Sequence, residues 1–263
     1  MKGQIGMKQG NRTAIVTGGL SGIGRAIAQR LAQDGTTVVI GARSAGDAAH
    51  VREILGAEQA GLHAAALDVR SAESVDGFVA GVAQTHGSVD ILVNAAGVYE
   101  EAAIIDHPDR IWEDHIDTNL SGSFRMIRAA MPHMKRAGWG RIVNIASVAA
   151  HHGMANNAAY CTSKAGLLGL GRCVSLEGAA HGITCVSISP TWVETEMLRR
   201  FIDADMAATG QSLDDVRAEY AKSNPQHQLV QPSEIAELAA FLVSDAARAL
   251  TMEDFQVNAG SLW

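Results

Sequence analysis

The sequence predicts a single doubly wound α/β domain, a parallel sheet with helices on both faces. Three observations predict it. Short apolar runs alternate with amphipathic stretches along the chain. Its 263 residues suffice for one such domain with a well-buried sheet and require no second. No internal repeat or low-complexity linker divides them.

Taken in order, residues 1–12 are polar and Gly-rich and lack the apolar core of a secretory signal; a flexible tail is expected, with Met7 as an alternative start. Residues 13–16 read as the first strand. The helix after it carries Ile23, Ala26, Ile27 and Leu31 on one stripe. Strands are expected at 36–40, 63–67, 89–93 and 141–145, with a long helical stretch at about 109–135 before the last of these. A helix at about 157–180 leads to a strand at 183–188. There the alternation lapses, and residues 194–231 form a mixed, charged, mostly helical insertion, the candidate substrate loop. A further helix opens near Ser233, with Pro232 just ahead of it and Glu237 in its first turn. A strand at 255–257 closes the pattern, so the domain is expected to span 13–263.

Composition narrows the function. Hydrophobic residues make up 47% and charged residues 19%, an ordinary globular balance. A net charge of −7 offers no basic footprint for nucleic acid. No apolar run reaches the length of a membrane span. Cys161, Cys173 and Cys185 have no close metal-ligand spacing and read as idle thiols in a reducing, cytoplasmic setting.

The first strand runs directly into Thr17-Gly18-Gly19-Leu20-Ser21-Gly22-Ile23-Gly24 and then into a helix. Glycines permit a tight turn and close backbone approach, while the helix offers free N–H groups to a pyrophosphate. That context makes this a Rossmann-type dinucleotide site, with Gly18, Ser21, Gly22, Ile23 and Gly24 as contacts. The Gly-x-x-x-Gly-x-Gly spacing behind Thr17 resembles the short-chain dehydrogenase/reductase family.

The end of the second strand decides between the two nicotinamide dinucleotides, because a carboxylate there would repel a ribose 2′-phosphate. Here Ala42 stands where NAD-preferring members usually carry Asp, and Arg43 follows. Its guanidinium could pair with the phosphate, or stand as a surface arginine. NADP is favoured and NAD stays possible, since Ser21 replaces the second basic residue that many NADP-dependent relatives place in the loop. By the same resemblance Asp68, with Val69 beside it, would meet the adenine ring; alternatively Asp68 caps the helix that starts near Ser71.

Tyr160-Cys161-Thr162-Ser163-Lys164 puts a phenol and an ammonium four residues apart, on one helical face at the carboxyl edge of the sheet. A free tyrosine, with a pKa of about 10, is almost wholly protonated at neutral pH, and a nearby cation would lower that value. Tyr160 is therefore the candidate general acid/base and Lys164 its partner. Ser147, thirteen residues earlier, can donate to a substrate oxygen. The resemblance adds Asn119 as the residue that distorts the long helix and anchors a water relay to the lysine. It adds Asn94, Ala95 and Gly97 of Asn94-Ala95-Ala96-Gly97, with Ala95 replacing the family's second Asn. It adds Pro190, Val193 and Thr195 of Pro190-Thr191-Trp192-Val193-Glu194-Thr195, which would meet the nicotinamide carboxamide, with Thr191 in place of the usual Gly. Tyr160 and Lys164 would also contact the cofactor.

The implied activity is hydride transfer between nicotinamide and the carbonyl or secondary alcohol of a small substrate, in a homotetramer. A related-fold sugar-nucleotide epimerase or dehydratase and a non-catalytic dinucleotide sensor are the alternatives. No metal is called for: His151-His152 has no evident third ligand, and this pair reads, with Tyr99 and Trp192, as substrate pocket or surface. One tail segment departs from the family, Thr251-Met252-Glu253-Asp254 standing where relatives often read Thr-Gly-Gln.

Overall fold

In the computed structural model, which describes residues 12–55 and 61–261, seven parallel strands form one sheet in the order β3-β2-β1-β4-β5-β6-β7. They are β1 (Thr13–Thr17), β2 (Thr37–Ala42), β3 (Leu62–Ala66), β4 (Ile91–Asn94), β5 (Gly140–Ile145), β6 (Ile183–Pro190) and β7 (Asp254–Val257). The helices are α1 (Gly22–Gln33), α2 (Ala48–Leu55), α3 (Ala72–His86), α4 (Asp109–His115), α5 (Gly122–Ala137), α6 (Ala158–Gly178), α7 (Glu196–Thr209), α8 (Leu213–Lys222) and α9 (Pro232–Leu242). Every expected strand is present within about two residues of its expected position.

The central strands are apolar without alternation because both faces are covered. Ala14 and Val16 of β1 point into a core shared with Ile27 and Leu31 of α1 and Ile235 and Ala239 of α9. Ile15 between them points the other way, into a core with Phe78 of α3 and Met126 and Met134 of α5. Arg30 of α1 bonds both Asp34 and Glu237 of α9, clamping the two helices together. Glu237 thus links helices rather than lying in the first turn of α9. The capping role falls to Glu234, which closes a capping box on Gln231, with Pro232 at the first position.

Three other expectations are corrected. The stretch 109–135 is not one α-helix: six residues, Ile116–Ser121, form a π-helical turn between α4 and α5. Helix α2 was not among the expected elements, and α3, expected only as a helix starting near Ser71, runs for fifteen residues behind that cap. Residues 1–11 of the expected tail lie outside the described residues, but Arg12 is anchored. Its guanidinium bonds Asp245 at 2.9 Å and stacks 3.6 Å from the Trp139 ring centroid. Among the described residues, no helix is long and apolar enough to cross a membrane.

Chain order on the sheet reverses between β1 and β4, so the loops after those strands diverge and leave a crevice at their carboxyl ends. The candidate residues gather there.

Candidate active site

The loop after β1 is held in shape by contacts that tolerate no side chain. A Cβ on Gly24 would lie 2.6 Å from the Gly18 carbonyl oxygen, and one on Gly18 (φ +67°) would lie 2.9 Å from Ala96 Cα. Thr17 Oγ1 accepts hydrogen bonds from the Ala95 and Ala96 N–H groups, both at 3.1 Å, which ties the loop after β4 to the glycine loop.

The donors of this loop already hold an anion. The Gly22 N–H, first of α1, donates to the Glu196 carboxylate at 2.9 Å, and Arg25 pairs with the same carboxylate at 2.8 Å. A helix terminus with a guanidinium beside it, able to hold a carboxylate, has the donor set a pyrophosphate needs. The fit to a dinucleotide is therefore physical as well as patterned. Nothing in the sequence marked Glu196, because its role comes from the first residue of α7 meeting the first turn of α1.

Around the loop the expected contacts divide. Ser21 and Arg43 are exposed, Arg43 beginning a short turn where β2 ends. Asp68 bonds Arg70 at 2.8 Å, and that bond holds its carboxyl down at about 2. The Arg43 charge adds to this effect, so Arg43 and Asp68 lie near each other where β2 and β3 end. Ser71, not Asp68, caps the following helix. Val69 is buried against Gly122 and takes a bond from Arg125 through its carbonyl. Asn94 does not turn its side chain toward the crevice: its amide donates to Asn144 across the sheet at 2.9 Å. β4 keeps its ladder register through Asn94, which is why the side chain stays inside the sheet.

Ile23, Ala95, Gly97, Pro190, Val193 and Thr195 do line a common cavity of about 340 Å³, together with Ser147, Tyr160 and Lys164. Thr195 caps α7 and donates to the Val193 carbonyl at 3.2 Å. Ser147 follows β5, and its Oγ accepts from the Ala149 N–H at 3.1 Å, fixing the turn that carries it. Tyr160 lies in the first turn of α6, with its phenol bonded to the Ser147 hydroxyl.

Electrostatics at Tyr160 run against the sequence expectation. Burial pushes its phenol up to about 12, and the Ser147 hydroxyl bonded to it pulls the other way without winning. Lys164 Nζ is 5.7 Å from the Tyr160 ring centroid and donates to the Ile145 carbonyl at 2.8 Å. With its side chain packed under the sheet edge, burial lowers the ammonium to about 8. In the protein alone, then, desolvation outweighs the attraction between the two charges.

Asn119 sits inside the π-helical turn, 1% exposed. Its Oδ1 accepts from the Val98 N–H at 2.8 Å, and its Nδ2 donates to the Val98 carbonyl and to Ser163 Oγ. Those bonds brace the strand of loop bearing Gly97. A Cβ on Gly97 would fall 3.3 Å from Asn119 Oδ1 and 3.7 Å from Lys164 Nζ, so glycine there keeps the space between amide and ammonium open.

Other features emerge only in three dimensions. His152, Tyr99 and Trp192 line the cavity, as do Phe201, Met154 and Met197. His151 turns away and pairs with Asp254 at 2.7 Å, and Asp254 also accepts from Ser189 at 2.7 Å. The departure from the family at this point is thus a tie between β7 and the turn after Ser147.

Comparison with known proteins agrees with this geometry. The family model described as short chain dehydrogenase matches residues 12–205. A 3-oxoacyl-(acyl-carrier-protein) reductase of Vibrio harveyi is 36% identical over 95% of this chain and 96% of its own length. A D-beta-hydroxybutyrate dehydrogenase of Cupriavidus necator is 36% identical over 90% and 92%. An actinorhodin polyketide ketoreductase solved with NADPH superposes with a TM-score of 0.89 at 34% identity, over 97% of this chain and 98% of that one. With the parallel sheet, the glycine crevice and the Ser147–Tyr160–Lys164 cluster, these matches show that the chain belongs to the short-chain dehydrogenase family.

Proposed function

We propose that the protein is an NADP-dependent oxidoreductase that interconverts a ketone and a secondary alcohol, with Tyr160 as general acid/base. The observation that carries this reading is the convergence of Ser147, Tyr160 and Lys164 on one wall of a cavity that also includes Ile23 of the glycine loop. When bound, the nicotinamide supplies or accepts the hydride. The chain's own residues do the rest. Ser147 and Tyr160 hold the substrate oxygen, and the phenol, protonated at neutral pH, delivers a proton to it as the carbonyl is reduced. Lys164 places positive charge near the ring, and the opening beside Gly97 links it to the Asn119 region, the path by which the proton is restored. Relatives that bind NADPH and reduce keto groups support the cofactor and the reaction class. We further propose a homotetramer, for which Phe124 on α5 and Leu176 on α6 offer exposed apolar positions.

Two results test the cofactor assignment. Nicotinamide absorbance followed with NADPH and NADH should show a preference for NADPH, and Arg43→Ala should raise KM for NADPH about tenfold while leaving KM for NADH within about twofold. Equal loss with both dinucleotides would make Arg43 a surface arginine without a phosphate partner. The second concerns Glu196, whose carboxylate takes the donors a pyrophosphate would use. Glu196→Gln should therefore tighten NADPH binding by about threefold to tenfold, read as a lower Kd by titration. Weaker binding would mean that Glu196 supports the loop instead of competing for it.

A further inference from the structure

Resting on that reading, we propose that the substrate is a neutral ketone with an apolar ring body, in preference to a keto acid or a thioester on an anionic carrier.

A run of aromatic rings leads away from Tyr160, and four of its members, Tyr160, Tyr99, Phe201 and Trp192, line the cavity. Tyr160 meets Tyr99 with ring centroids 4.7 Å apart, and Tyr99 meets Phe201 at 4.7 Å. Phe201 meets Trp192 at 6.1 Å, and Trp192 meets Tyr220 at 4.9 Å. All are edge-to-face or nearly so, the arrangement aromatic rings prefer. The chain has three tyrosines, and all three stand in this run. Such concentration in a sequence only 5% aromatic is a built surface, and its edges and faces suit a flat, apolar ligand. Val148, Ala149, Met154, Met197 and Leu198 add apolar surface, and Thr191 and Ser223 are among the polar residues of the lining. Past Met154 the apolar surface continues outward over Ala102, Ile104 and Ile105, so a body longer than the cavity still meets hydrocarbon.

Charge points the same way. Among the described residues lining the cavity, Lys164 is the sole lysine or arginine, and its ammonium is committed to the Ile145 carbonyl. His152 turns its Nδ1 to the Val148 carbonyl at 3.0 Å. No guanidinium lines the cavity to receive a substrate carboxylate, and a desolvated carboxylate without a partner is strongly disfavoured. The other two phenols of this run are paired with acids: Tyr99, in the lining, donates to Glu101 at 2.6 Å, and Tyr220, beyond Trp192 and outside the lining, to Asp205 at 2.7 Å. Burial raises both phenols and keeps them neutral, and the carboxylates bonded to them act in the same direction. Along this lining an anionic group finds no guanidinium to pair with, whereas a neutral ring meets aromatic edges.

The test compares four ketones with the intact enzyme and NADPH: 2-tetralone, ethyl acetoacetate, acetoacetate and acetoacetyl-CoA. The ester and the acid share a skeleton and differ in charge, so their ratio isolates the missing cation. The expected order of kcat/KM is 2-tetralone, then the ester about tenfold lower, with the acid and the CoA thioester about a hundredfold below the ester. Phe201→Ala should erase most of the preference for 2-tetralone over the ester, and Phe201→Tyr, which keeps a ring, should restore it. A loss of fold would lower both substrates alike in both variants. Tyr160-dependent turnover that favours acetoacetate or acetoacetyl-CoA would overturn this inference and leave the reductase reading intact. Absence of NADPH oxidation with all four, while NADPH still binds, would overturn the reductase reading and this inference with it.

Discussion

Tyr160→Phe is expected to lower kcat for ketone reduction by about 10²- to 10⁴-fold, the range that general acid catalysis supplies. Phenylalanine keeps the edge-to-face packing on Tyr99 at 4.7 Å, so the cavity wall survives and a complex with NADPH still forms. What disappears is the proton donor beside Ser147. The direction of catalysis adds a second signature. Burial holds the phenol up at about 12, which leaves it protonated and competent to donate across the neutral range. Ketone reduction should therefore be nearly flat with pH around neutrality. Alcohol oxidation needs the phenolate and should rise with pH. Ser147→Ala should remove the bond that favours the phenolate and depress oxidation more than reduction. Retention of kcat within about tenfold in Tyr160→Phe would assign the proton to another group.

How much of this could be read from the chain depends on where the cause lies. The strands were legible because a sheet covered on both faces demands apolar runs without alternation, and residues 14–16 and 91–93 have them. Tyr160, Lys164 and Ser147 were legible because helical periodicity and strand ends fix which residues can meet at the carboxyl edge. Helix α3 was legible only at its start, through Ser71, although its buried positions Val75, Phe78, Val79 and Val82 fall on one helical stripe. Asn94 was assigned to the crevice from its place in a motif, but strand register decides which way its amide points. Glu196, Asp254 and the run from Tyr160 to Tyr220 were out of reach for a common reason. Each acts through a partner on an element far away in sequence, and no spacing along the chain encodes that. The pKa directions of Tyr160 and Lys164 belong here too. Spacing gives proximity, while burial, which decides the sign, is a property of the folded cavity.

The second large effect follows from that burial and has opposite signs for stability and activity. Lys164, 6% exposed, has its ammonium lowered from the ordinary 10.5 to about 8. A group whose folded value is depressed contributes stability that is present above its unfolded value and lost as pH falls through the folded one. At pH 7 the buried charge therefore costs the folded state about 3 kcal/mol, and the cost fades as pH climbs from about 8 toward 10.5. Lys164→Met keeps the aliphatic stem and removes the charge. It also leaves the Ile145 carbonyl without its donor, a loss of about 1 kcal/mol. A net gain of about 2 kcal/mol is expected at pH 7, a rise in Tm of about 5 °C for a chain of this size, shrinking to nothing or reversing by about pH 10. Tyr160 titrates higher still and is present in both proteins, so it largely cancels from the difference. Activity moves the other way. A unit charge about 6 Å from the ring, at an effective dielectric of about 20, is worth about 3 kcal/mol, so the variant should lose about 10²-fold in kcat. A protein that becomes both more stable and less active on losing one buried ammonium would show that Lys164 is retained for chemistry against the interest of the fold. A Tm difference independent of pH would mean instead that the ammonium is neither desolvated nor strained where it sits, and that its 2.8 Å bond to Ile145 accounts for its place.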